Sequence, residues 1–111
     1  MELAALLEEA RRATPDRRIE WRDRIAAHGR PAIDGVDQWL ADGMLAAFAV
    51  RVIERVGANG EAAAASRALR GGRARVPANV QGDVDRALQH LREATRRAAR
   101  AGGARADQPA E

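Results

Sequence analysis

The chain has 111 residues, a formal net charge of +3 and no cysteine, the length of a single domain. The missing cysteines exclude disulfides, thiolate nucleophiles and zinc–thiolate sites. Alanine fills 27 positions, every one of the 19 basic residues is arginine, and the aromatics are Trp21, Trp39 and Phe48 alone.

Ala and Arg favour helix, and seven Val and four Ile are too few to furnish a sheet. The expected fold is therefore all-α: a compact bundle of about five to six short helices around a central apolar helix at 44–56. Residues 1–100 are expected to form one helical domain, and 101–111, without a large apolar residue, a disordered tail. The longest apolar run, Met44 to Val50, is far shorter than the about 20 residues of a membrane span. The start "MELAALLEEARRA" lacks the basic leader and apolar run of a signal peptide. A bacterial, cytoplasmic protein without a membrane partner is expected.

In chain order, residues 2–13 place Leu3, Leu6, Leu7 and Ala10 on one helical face, with Arg11 and Arg12 in the last turn where they suit the dipole. "TPD" then predicts an N-cap at Thr14 and Pro15 in the first turn. The second helix runs to about His28 with no clean apolar stripe, and Gly29 stops it. Pro31 opens a third helix of about ten residues, with Ile33, Val36, Trp39 and Leu40 inward. Asp42 caps the fourth, "GMLAAFAVRVIERVG", which is apolar over most of its girth and so needs cover on several sides. Its narrow charged stripe is Arg51, Glu54 and Arg55, with Arg51 and Glu54 spaced to pair. "GANG" ends that helix, 61–70 forms a fifth, and "GGRARVPAN" at 71–79 is the internal loop. Asn79 is expected to cap a sixth helix running to about Arg100, with Val80, Val84, Leu88 and Leu91 on its buried face.

Residues 31–57 resemble a HEAT-type helical hairpin: a proline-opened first helix, an Asp-containing turn, then "AVRVIERVG", with "EAAAASRAL" standing where the next helix would begin. The resemblance implies stacked helix pairs that serve as a protein-binding scaffold, and it carries no catalytic residues. One such unit is present, where solenoids usually need about three. The flanking helices would cap it.

No catalytic constellation is visible. Ser66, the one serine, has no neighbouring base. His28 sits at a helix end, and His90 with Glu93 three residues on reads as a solvated pair, not half of a metal site. "RGGR" lacks the preceding strand and the Lys-Ser/Thr of a phosphate loop. No metal, cofactor or enzymatic activity is expected.

What remains is charge and apolar surface. Residues 61–111 carry ten Arg against six acids, and residues 1–60 nine against ten. Arg67, Arg70, Arg73 and Arg75 form one basic cluster, and Arg92, Arg96, Arg97 and Arg100 a second. The leading expectation is an interaction module that binds a protein partner, itself or another, through Leu3, Leu6, Leu7 and Trp21 with Arg51, Glu54 and Arg55. The competing one is a nucleic-acid binder whose eight clustered arginines meet phosphates in a salt-sensitive way.

Overall fold

A computed structural model describes residues 2–106, with side chains as far as Ala101. The described residues are helical throughout their ordered elements and contain no strand. Helix α1 spans Leu3–Arg12. Helix α2 (Pro15–Arg18), a 3-10 turn (Ile19–Trp21) and α3 (Arg22–Ala26) follow, then α4 (Arg30–Val36) and a second 3-10 turn (Asp37–Ala41). Next come α5 (Ala46–Val56), a π-type turn (Gly57–Glu61), α6 (Ala62–Gly72) and α7 (Ala78–Ala106).

Helix α5 is the centre. Ala46, Phe48, Ala49, Val50, Val52, Ile53 and Val56 are all buried, and α3, α4, α6 and α7 pack around it. Asp42 caps its approach: one carboxylate oxygen accepts from the backbone N–H of Met44 at 2.7 Å and of Leu45 at 3.3 Å. Phe48 leans on half-buried Trp39, with ring centroids 6.2 Å apart. Gly29 stops the preceding helix with a φ of +74°.

Thin residues let the helices close up. A Cβ built on Gly57 would lie 2.9 Å from the Cβ of Ala65 and 2.5 Å from a methyl of Leu91, so α5, α6 and α7 meet at a point that tolerates no side chain. Three residues on, Gly60 has a φ of +120° and turns the chain from α5 into α6, a conformation that L side chains rarely adopt.

Several local expectations are corrected. The second helix tightens into a 3-10 turn at Ile19–Trp21: its buried residues are Arg18 at one end and Ile25 and Ala26 at the other, with Trp21 half-buried between them. The third helix tightens into a 3-10 turn after Val36, and Leu40 from that turn sits over Gly72. Gly71 and Gly72 accordingly stay helical, and the loop shortens to 73–77. Thr14 occupies the N-cap position of α2 but makes no side-chain cap bond; its side chain, with the backbone amides of this turn, holds the Asp16 carboxyl below the usual range. Asn79 is not the cap either, since α7 already begins at Ala78, where the N–H of Val80 donates to the carbonyl of Pro77 at 2.8 Å.

Helix α7 runs six residues further than Arg100. Its 29 residues make a rod of about 44 Å, and the molecule measures 57 × 33 × 21 Å. Core contact ends at Leu91: no residue from Arg92 to Ala101 is buried. The expectation of a disordered tail falls otherwise on 107–111, outside the described residues.

Candidate functional site

The first group of sequence-derived candidates is divided by the fold. Leu6 is 2% exposed, and Leu3, Leu7 and Trp21 are half-buried against the same core. Leu7 reaches Gly35 of α4, where an added Cβ would meet its methyl at 2.8 Å. Trp21 donates its indole N–H to Glu9 at 3.2 Å. The apolar face of α1 thus finds its cover within its own chain. A dimer through Leu6 would require the bundle to open, which corrects its placement on a partner face.

Holding α1 in place is Arg18, a residue that pattern reading passes over. It is 7% exposed, and its guanidinium donates to the carbonyl of Ala10 at 2.8 Å and of Ala13 at 2.7 Å. Ala10 lies in the last turn of α1 and Ala13 is its C-cap, where backbone acceptors run short of helical donors and a cation suits the dipole. No sequence period marks such a residue, because the contact depends on how two helices meet.

The α5 stripe is surface, but its members do not pair as expected. Glu54 bonds His90 of α7 at 2.9 Å, and Arg55 reaches Asp23 of α3 at 3.2 Å. Arg51 has no ion pair among the described residues. Cross-helix neighbours replace the expected pair because α5 is flanked on both sides.

The basic clusters also separate. The Arg73 guanidinium bonds both carboxylate oxygens of Asp85, at 2.7 and 2.9 Å. That bond holds the Asp85 carboxyl below its usual range, and the charge of Arg92 adds to the effect. Arg75 pairs with Asp37 at 3.0 Å. Both arginines therefore tie the 73–77 loop to its surroundings through a carboxylate of the same chain, while their side chains stay partly exposed.

Arg67 and Arg70 of α6 face Arg92 and Arg96 of α7 across a groove of about 750 Å³. Gly57, Ala58 and Gly60 line it at the α5–α6 turn, and between the arginines lie Ala62, Ala63 and Ser66 of α6 and Ala94, Thr95 and Ala98 of α7. No acidic, histidine or aromatic side chain lines it. Arg67, Arg70 and Arg96 are in no ion pair among the described residues, and Arg92 donates only to the amide oxygen of Gln89, at 2.9 Å. Arg97 and Arg100 continue the basic surface along α7, both exposed. The groove exists because α7 outruns the core while α6 lies beside it. Its sequence signal is the absence of any large apolar residue after Leu91 in a segment that still favours helix.

Among the described residues, no three of His, Asp and Glu gather as a metal site would need. No helix of the described chain is long and apolar enough to cross a membrane. Comparison of the chain with protein-family models, with curated proteins and with solved structures finds no match.

Proposed function

We propose that the protein is a non-enzymatic helical interaction module, an adaptor, accessory subunit or regulator, that binds a protein partner in the groove between α6 and α7. The observation that carries this reading is that groove: about 750 Å³, with an alanine floor and four arginines on its walls. Small-molecule pockets of this size are usually lined by large apolar and aromatic side chains with a few converging polar groups, and this one has no large apolar or aromatic side chain. Its hydroxyls, Ser66 and Thr95, have no acid or base lining the same space, which supports the non-enzymatic reading. In the same proposal the setting is cytoplasmic. The 31–57 hairpin, α4 packed on α5 with α6 following, acts as a repeat-like scaffold presenting the groove.

A second reading has its own support: the unpaired arginines of α6 and α7 would meet the phosphates of a nucleic acid. The protein reading is preferred because an alanine floor contributes nothing to phosphate contact, and the groove has no aromatic to stack a base.

The test is to fill the groove without touching its charge. Wild type and the Ala63→Trp/Ala98→Trp variant are used to capture partners from a nuclease-treated lysate of the source organism. A protein held by wild type and lost by a filled variant of equal melting temperature supports the reading. Equal capture by both, or capture that vanishes with nuclease alone, overturns it.

A further inference from the structure

Resting on the protein-docking reading of the same groove, we propose that its occupant is an acidic amphipathic helix of a partner protein, with small apolar residues on the buried face and Asp or Glu along both flanks. Three features of the site converge on that chemistry.

The first is the distribution of unpaired charge. Arg11, Arg12, Arg17, Arg22, Arg30, Arg55, Arg73, Arg75 and Arg86 each have a carboxylate partner within the fold. The four arginines on the groove have none among the described residues; Arg24 and Arg51 are also without one but lie elsewhere, so the groove gathers four unpaired guanidiniums in one space. An occupant with carboxylates on its flanks would supply the missing partners, and guanidinium–carboxylate pairs are favoured by their matched planar geometry.

Second, the positive charges lie on both sides of the floor: Arg67 and Arg70 on one helix, Arg92 and Arg96 on the other. A helix laid between α6 and α7 presents two flanks, one to each wall. A second copy of this chain offering its own α7 would bring like charges together, since Arg92 to Arg100 holds four Arg against Glu93 alone.

The third is the floor itself. Alanine and glycine permit helix axes to come within the lower part of the about 8–10 Å range of packed helices. From Ala62 to Arg70 the α6 wall rises about 12 Å, room for two turns of an incoming helix. Large apolar residues on that helix would stand off from the Ala floor, so Ala, Ser and Val are the residues that fit. A nucleic-acid backbone would use the arginines and leave the floor unfilled.

The experiment uses the full chain and a displayed library of helical peptides with an Ala/Ser/Val face, in two arms: one with Asp/Glu flanks, one with Gln/Lys flanks. A duplex DNA and a single-stranded RNA, each of about 20 nucleotides, are measured beside them. The expected result is enrichment of the acidic arm alone. The selected peptide should lose about tenfold or more in affinity on Arg67→Glu/Arg96→Glu, with the melting temperature unchanged. It should also weaken as salt rises from about 0.05 to 0.5 M and fail to bind the Ala63→Trp/Ala98→Trp variant.

Equal enrichment of both arms, or a selected peptide indifferent to the charge reversal, overturns the acidic helix. The protein-docking reading survives that outcome if the groove-filled variant still loses its captured partner. Peptides that bind the filled variant as well as wild type also overturn the inference. Nucleic acid bound through Arg67 and Arg96 more tightly than any peptide overturns both.

Discussion

Glycine-to-alanine exchange at two helical positions offers a sharp test, because local preference and tertiary packing oppose each other at only one of them. Gly82 lies within α7 with nothing inside 4 Å of an added Cβ. Alanine there should gain the usual helix-propensity difference, about 0.5–1 kcal/mol. Gly57 also has helical angles, φ −60° and ψ −43°, so propensity alone predicts the same gain. Its added Cβ, however, would sit 2.9 Å from the Cβ of Ala65 and 2.5 Å from a Leu91 methyl. Leu91 has a rotamer to change; the Ala65 Cβ moves only with the backbone of α6. Overpacking of this kind costs about 1–3 kcal/mol, which outweighs the gain and leaves Gly57→Ala destabilised by about 0.5–2 kcal/mol. At about 4–8 °C per kcal/mol for a domain near this size, thermal unfolding followed by circular dichroism resolves the two signs. Melting of Gly57→Ala at or above wild type would show that α5, α6 and α7 do not converge there, and the groove's lining at the α5–α6 turn would go with them.

Arg18→Met keeps the buried stem but removes the donors to Ala10 and Ala13. Relief of a buried charge offsets part of the loss, leaving a destabilisation of about 1–3 kcal/mol, with faster amide exchange confined to α1 and α2; an unchanged exchange pattern would deny Arg18 its anchoring role. Ile53 is fully buried, so Ile53→Asp, which combines lost packing with an unpaired polar group, should cost about 4 kcal/mol or more and abolish cooperative unfolding. Wild-type melting would show the core misplaced. Because Arg73 holds the folded-state pKa of Asp85 below its ordinary value, the pair contributes stability that is present above about pH 4 and lost as pH falls through the depressed value. Asp85→Asn should therefore melt below wild type at pH 6 and approach it in acid. A constant gap across that range would contradict the ion pair.

How much was legible in advance follows from the range of the forces involved. The all-α class, the punctuation at Gly29 and Asp42 and the central place of 46–56 rest on propensity, caps and the girth of apolar residues, which act within one or two helical turns. The candidate site was legible only as composition: arginines gathered in the second half of the chain.

Which arginines are available was decided by residues 12 and 38 positions away, Asp85 for Arg73 and Asp37 for Arg75. The same holds for Leu6, whose apolar face looked unpartnered until α3 and α4 were in place beside it. The groove depends on α6 beginning at Ala62 beside the part of α7 that continues past its last core residue, Leu91. Sequence by itself determined that the chain would be helical, that it would turn at Gly29 and Asp42, and which helix would be enclosed, because those are local free energies. Tertiary structure alone decided which charges were neutralised and which surface was left open, because pairing and cover depend on neighbours that only the packed bundle brings together.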